Sequence, residues 1–407
     1  MVYGEKRKKI LFFHRYPPEF ELIPFPGFLE FIKALSLEYE IFYFGMSWKK
    51  PKNKELRKLM KIIEAPFNID ITSVFDKWHK TFLFYLYLPF AAYQIKKLSP
   101  DIIICRENFP FIASLLTLLK IPLLIALSDW WPSLILGKSK IGRYFAEFIE
   151  KKDVELWISK NVTVLAHNKN EVEQMLEKGI YKKRIIKIGA PLFGGVFSKI
   201  NSRNYRDKFG FKDADFVVGW HGIIHPSKGI DQILLWWKKL IVFHRNWKLL
   251  LIGGTIGELE CRKRIFELGI ENNVKITGWI FDQAELNKYL NASDCLLTTR
   301  RNTPDTRGNT PSSLTHNLMT GKPVIATGLP GIAEVIQDGK NGFLYEPDSF
   351  ESFKSKLEHI SKNYKLAKKI GQRGLERVKF CFDAKRAALD YKKVIEETLN
   401  AGKLNNN

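Results

Sequence analysis

Two stretches of the chain carry the residue types needed to hold a phosphorylated ligand. In one, Phe216-Val217-Val218-Gly219-Trp220-His221-Gly222 reads as a strand ending in a glycine turn, and Lys228-Gly229-Ile230-Asp231 opens a helix that runs through Leu240. Backbone N–H groups and the positive end of a helix dipole take part of an anion's charge, and a lysine at the helix start takes the rest. In the other, the apolar run Cys295 to Leu297 leads into a loop with Arg300, Arg301 and Arg307, followed by Asn309-Thr310-Pro311-Ser312-Ser313. Proline and serine ahead of the helix-like Leu314 to Met319, with Gly321 after it, are the start and stop asymmetry of a helix. A strand, a polar loop and a helix N-terminus rich in free N–H groups make an anion site at the carboxyl edge of a sheet.

The elements that would position these groups alternate strand and helix, the pattern of parallel α/β units. Lys8 to Phe13, Tyr39 to Phe44, Ile102 to Cys105, Ile121 to Leu127, Val162 to Ala166 and Ile185 to Gly189 read as strands of a first domain. Phe216 to Gly222, Leu249 to Gly254, Val274 to Ile280, Cys295 to Leu297 and Pro323 to Thr327 read as strands of a second, and Pro191 to Phe211 as the linker region. Polar residues just past the carboxyl ends of parallel strands are where ligands are met, which makes Arg106, Glu107 and Asp129 candidates; capping and loop ion pairs are the alternative for each. Gly253 ends an apolar strand in a glycine turn, and Gly278-Trp279 follow the next apolar stretch. Asp213-Ala214-Asp215 precedes a strand rather than following one, so it reads as a turn and not as a metal site. The last helix, Ala384 to Leu399, places Ala387, Tyr391, Val394 and Ile395 on one face, with a frayed tail beyond it.

With 407 residues and 45% apolar content the chain can bury two full cores. Its four cysteines (Cys105, Cys261, Cys295, Cys381) lack metal or redox spacing, which points to a reducing compartment. No signal peptide follows the basic N-terminus, and Phe82 to Tyr93, the longest apolar run, is too short for a bilayer, so a cytoplasmic chain is expected. The net charge of +22 is divided between both halves. Such a surface suits anionic lipid, a phosphorylated substrate or nucleic acid, but no nucleic-acid motif accompanies it. Lys49 to Lys61 has seven basic residues and one acid, Glu55, and aromatics follow: Phe67, Phe75, Trp78, Phe82, Phe84, Tyr85, Tyr87 and Phe90. This stretch has two readings, a patch facing an anionic membrane or a solvated helix followed by a core helix.

The order Gly321-Lys322-Pro323-Val324-Ile325-Ala326-Thr327, then Leu329-Pro330-Gly331 and Glu334, then Asp338-Gly339-Lys340-Asn341-Gly342-Phe343-Leu344 resembles the donor-site end of the retaining GT-B glycosyltransferases (family four, the group one type). Gly222, Lys228 and Gly229 are in register with that family's glycine–arginine–leucine…lysine–glycine motif, although Ile223 replaces the arginine. The resemblance implies two Rossmann-like domains facing a cleft. Residues 1–190 would form the acceptor side, 191–380 the nucleotide-sugar domain, and 381–407 a helix bracing the first. It implies sugar transfer from a nucleotide-diphosphate sugar to a glycan or lipid-linked acceptor, with no further cofactor and no metal.

Gly222, Lys228, Gly253, Gly278, Trp279, Asn309, Thr310, Ser312, Ser313 and His316 would bind the donor. Lys228, Asp129 and Arg106 would serve catalysis, and Arg300, Arg301 or Arg307 would compensate for the missing arginine. The family's two donor-site glutamates fall on Gly308 and His316, so neither is present. His316 then stands for a ribose contact through a ring nitrogen or for a partly exposed helix residue. Their loss leaves a non-catalytic sugar-nucleotide or glycan binder as a second reading, and an epimerase or phosphorylase on the same fold as others.

Overall fold

A computed structural model of the chain describes residues 7–14, 16–22, 25–45, 53–64, 83–106, 110–126, 140–160, 162–254 and 257–404. The chain divides into two compact units, Met1–Leu192 with Phe382–Asn407, and Phe193–Cys381.

The first unit is a seven-stranded parallel sheet. Its strands are β1 (Lys9–Phe13), β2 (Glu40–Gly45), β3 (Lys61–Glu64), β4 (Ile102–Cys105), β5 (Leu123–Ala126), β6 (Thr163–Ala166) and β7 (Ile185–Lys187), in the order β3-β2-β1-β4-β5-β6-β7. The apolar runs predict this arrangement, because a parallel strand covered on both faces needs apolar residues at successive positions. In β1, Leu11 and Phe13 enter a core with Val154 and Trp157, while Ile10 and Phe12 enter another with Phe28, Phe31 and Tyr391. The C-terminal helix, Ala384–Leu404, supplies Ala387, Ala388, Tyr391, Val394 and Ile395 to that second core. The Tyr391 ring meets Phe31 edge-on at 4.9 Å. This helix outruns the expected end at Leu399: Ala401, Lys403 and Leu404 are good helix formers with no proline to stop them.

The second unit holds β8 (Phe216–His221), β9 (Trp247–Ile252), β10 (Val274–Ile276), β11 (Cys295–Thr298), β12 (Val324–Thr327) and β13 (Phe343–Tyr345), all parallel, in the order β10-β9-β8-β11-β12-β13. In both sheets the order of connection reverses once, between β1 and β4 and between β8 and β11. Those are the switch points where open α/β sheets bind ligands.

Three readings from sequence change. The linker region is docked from Phe197 onward: that ring is buried, and Arg206 in the turn Arg203–Phe209 pairs with Asp294 at 2.8 Å and donates to the Ala292 carbonyl. A buried guanidinium needs such partners, and a free tether would not supply them. Strands β3 and β13 were not expected, since three or four residues are too few to show a period. The basic part of 49–93 contains a short helix, Lys54–Leu59, and β3, tied together by Arg57 bonding Glu19 and Glu64. Phe67, Phe75, Trp78 and Phe82 lie outside the described residues. Among the described residues no helix is long and apolar enough to cross a membrane.

Tyr391→Ala should empty a fully buried aromatic site and cost about 3–5 kcal/mol. Urea unfolding followed by tryptophan fluorescence would read it; an unchanged midpoint would show that the C-terminal helix does not brace the first core.

Candidate functional site

The carboxyl edge of the second sheet is built on backbone before side chains. Gly222 ends β8 with φ +143° and Gly253 ends β9 with φ +147°. A Cβ on Gly253 would lie 2.0 Å from the Gly222 carbonyl oxygen, so only glycine fits. Around this contact the Gly222 N–H donates to Ile252, that of Ile224 to Gly254, and that of Gly253 to the Thr277 hydroxyl. Gly278 and Trp279 close the third side: a Cβ on Gly254 would meet the Trp279 nitrogen at 3.1 Å. Trp279 is half-buried and packs edge-on to exposed Phe281.

Lys228 does not open the following helix as expected. It ends a single 3₁₀ turn, Pro226–Lys228, and the α-helix starts after Gly229 and runs Ile230–Phe243. The reason is local: His225 caps the turn through its ring, bonding the Ser227 N–H at 3.3 Å, and Gly229 takes the left-handed conformation that separates the turns. Two long-range bonds then fix the lysine's backbone. The Trp220 indole N–H donates to the Thr299 hydroxyl at 3.0 Å, and that hydroxyl donates to the Lys228 carbonyl at 2.5 Å. Thr299, just past β11, is buried and was not read as a site residue. A threonine past the end of a strand was the available signal.

Beneath these groups lie three stacked rings. His316, in the helix Ser312–Met319, is parallel to Phe197 with centroids 4.2 Å apart and to His221 at 5.3 Å. It is only 4% exposed, and neither ring nitrogen has a hydrogen-bond partner. His316 is therefore not the partly exposed helix residue of the sequence reading: Phe197, from the supposed linker, covers it. Burial pulls the His221 imidazole from 6.5 down to about 4; the nearby Lys228 charge acts the same way, and a hydrogen bond to the Ser313 backbone opposes both. Burial also holds His316 well below its ordinary value, with His221 adding to the effect. Both are neutral at physiological pH.

The three arginines separate. Arg301 lies against Gly229 and pairs with Asp231 at 2.6 Å and with Asp348 at 3.7 Å, so its charge is already met. Arg300 is half-buried and its N–H donates to the Thr327 hydroxyl, whereas Arg307 is exposed. Asn309 and Thr310 are half-buried; the Thr310 hydroxyl donates to the Gly331 carbonyl, which ties the start of the Ser312–Met319 helix to the next loop. The structure thus groups Gly222, Gly253, Lys228, Ser313 and His316, with Gly278 and Trp279 beside them.

In the first unit the Arg106 side chain is 7% exposed and bonds Glu21 at 2.9 Å. His14 lies 3.2 Å from the same oxygen, and the guanidinium covers the Phe25 ring at 4.6 Å. Burial would raise the Glu21 carboxyl, but the Arg106 charge and the His14 hydrogen bond outweigh it and hold it at about 2. Arg106 is therefore the loop ion pair of the two readings, not an open ligand contact. Glu21 and His14, in the loop after β1, went unremarked in the sequence. Glu107 and Asp129 lie outside the described residues.

The glycosyl transferases group 1 family model matches residues 201–377. An uncharacterized glycosyltransferase of Methanocaldococcus jannaschii is 24% identical, over 93% of this chain and 99% of its own length. The capsular polysaccharide biosynthesis glycosyltransferase CapM of Staphylococcus aureus is 27% identical over 42% of this chain and 43% of its own. Among solved structures, Anabaena HepE in complex with UDP-glucose superposes with a TM-score of 0.68 at 19% identity, covering 97% of this chain and 99% of that one. Sucrose-phosphate synthase from Thermosynechococcus elongatus gives 0.72 at 17%, over 97% and 100%. The resemblance read from the motifs stands, and the architecture of two Rossmann-like units is the GT-B fold.

Two outcomes follow for stability. Because the folded state keeps His221 near 4 while the unfolded chain titrates at 6.5, the unfolded state binds more protons between those values. Stability is whole above pH 6.5 and lost as pH falls towards 4, by an amount on the order of 3 kcal/mol. Melting temperatures of wild type and His221→Asn across that window would show the slope flatten in the variant; equal slopes would contradict the neutral buried ring. Gly253→Ala should lower stability by about 2 kcal/mol or more through the carbonyl clash and the strained φ, read as a lower urea midpoint.

Proposed function

We propose that this chain transfers a glycosyl group from a nucleoside-diphosphate sugar to a glycan or lipid-linked acceptor, with retention of configuration and without a metal ion, on the cytoplasmic side of the cell. The observation that carries the reading is the switch point of the second sheet, where two glycine backbones, Lys228 and the start of the Ser312–Met319 helix converge. HepE, which has the same fold, is known in complexes with UDP and with UDP-glucose. This supports a nucleotide sugar as the ligand here.

In this reading the diphosphate lies over the Gly222 and Gly253 turns, and Trp279 packs beside the base. Lys228 and the N–H groups of Thr310 to Ser313 receive the charge that grows as the bond from the anomeric carbon to the diphosphate oxygen breaks. The acceptor oxygen bonds to that carbon from the same face, and its proton passes to the departing diphosphate. Arg307, exposed on the same loop, is the arginine placed to assist, since Arg301 is paired. Asp129 is kept as the acceptor-side candidate, while Arg106 serves to hold the loop after β1.

The absence of both donor-site glutamates, with Gly308 in one position and a buried His316 in the other, favours a second reading as a non-catalytic binder.

A thermal-shift panel of nucleoside diphosphates and their sugars, wild type beside Lys228→Ala, separates these. A ligand at a hundred times its dissociation constant should stabilise wild type by about 2.7 kcal/mol, with the variant losing most of that shift. Sugar release or transfer in the presence of glycan acceptors would select the enzyme over the binder. A folded protein that responds to no nucleotide would overturn the transferase and leave the glycan binder.

A further inference from the structure

The helix Lys140–Ser159 of the first unit buries Ala146, Glu150, Asp153, Val154 and Trp157. Its other face carries Ile141 (72% exposed), Tyr144 (69%), Phe145 (54%) and Phe148 (51%). These fall at i, i+3, i+4 and i+7, one stripe over two turns, and none is needed by the core beneath. Large apolar residues scattered singly on a surface need no account, but four in one helical stripe do. Lys140, Arg143, Lys151 and Lys152 on the same helix are exposed, against Glu147 and Glu155. Lys152 pairs with Glu155 at 2.7 Å on the solvent side and sits 6.0 Å over the Phe148 ring, close to the stripe itself.

The helix is held rigidly. Asp153 accepts from the Phe111 N–H at 2.8 Å and from the Ser114 hydroxyl at 2.5 Å, tying it to the neighbouring helix Ile112–Leu116. That segment adds exposed Leu115 and, just beyond it, Leu118.

We infer that this face is a docking surface for an anionic lipid bilayer. Tyr144, Phe145, Phe148 and Ile141 enter the boundary between head groups and acyl chains, and the flanking lysines and Arg143 meet anionic head groups. Aromatic and branched side chains between cations are the composition that an interfacial helix needs. A soluble acidic partner would need the cations but would leave the stripe unexplained. The net charge of +22 over the chain favours an anionic membrane over a neutral one. The surface is distinct from the basic stretch around Lys49 to Lys61, and it does not depend on the donor site, since it belongs to the first unit alone.

The test is sedimentation with vesicles of phosphatidylcholine alone and of phosphatidylcholine with phosphatidylglycerol, at low and high salt. The proteins are wild type, the stripe variant Ile141→Ser/Tyr144→Ser/Phe145→Ser/Phe148→Ser, and the charge variant Lys140→Gln/Arg143→Gln/Lys151→Gln/Lys152→Gln. Wild type should bind the anionic vesicles and be released by salt, and both variants should partition more weakly, by roughly tenfold or more. Melting temperature and nucleotide binding should stay those of wild type, which separates this result from failure of the donor reading. Equal binding of wild type and stripe variant, or none by wild type, would overturn the inference. So would a wild-type dimer in light scattering that the stripe variant dissolves, because the stripe would then be covered by a second copy.

Discussion

At the ends of β8 and β9 two backbones approach so closely that the Gly222 carbonyl oxygen stands where any Cβ of residue 253 would have to go. The rest of the second unit's edge depends on that contact. It brings the turns after both strands to one place, where the Gly222 N–H is held by the Ile252 carbonyl and that of Gly253 by the Thr277 hydroxyl. It also sets where β8 hands over to the loop carrying Lys228. The bond from Trp220 through Thr299 to the Lys228 carbonyl then joins β8, β11 and that loop across the switch point. A ligand held by backbone and one lysine is recognised by charge and shape. Such recognition would suit the diphosphate of the proposed donor and leave base and sugar to the residues around it.

Electrostatics at this edge follow from what lies under it. Two imidazoles and a phenyl ring stack below Lys228, and burial keeps both histidines neutral. A protonated His221 would put a second cation in a site of low dielectric, and the field of Lys228 makes that state costlier still. The neutral stack is therefore a floor: it holds the Ser312–Met319 helix against β8 through packing and the Ser313 backbone. The unmatched ring nitrogens of His316 are the cost of that arrangement, since each buried polar atom without a partner opposes folding. The same accounting explains Arg301. With Asp231 and Asp348 beside it, its charge fixes the start of the Ile230–Phe243 helix and is not spare for a phosphate.

What could be read from sequence was what is local. Apolar runs located β1, β2, β4 to β9, β11 and β12 within a residue or two, whereas β10 stops at Ile276, four residues short of its expected end, and the glycine turns with Lys228 marked the second unit's edge. The same face of the last helix, Ala387 to Ile395, was visible as periodicity. What could not be read was pairing across distance. Glu21 and Arg106 are 85 residues apart, and nothing in either neighbourhood indicates that one neutralises the other. Phe197 looked like linker because its partner, His316, lies far along the chain. Strands β3 and β13 were too short to show a pattern, and Thr299 matters only because two strands place Trp220 and Lys228 on either side of it.

The two units close their sheets' carboxyl edges by different means, and the difference bears on chemistry. In the first, the edge beside β1 and β4 is filled by Glu21, Arg106 and His14, a charged group whose members satisfy one another. Burying it costs desolvation, and removing one member would leave the others uncompensated. An anion arriving there would have to compete with Glu21 for Arg106, and Glu21 stays ionised down to about pH 2. In the second, the corresponding edge is glycine backbone with its lysine fixed at the carbonyl, and the histidines beneath it add no charge. The same doubly wound topology thus fills one switch point with a buried ion pair and lines the other with glycine backbone.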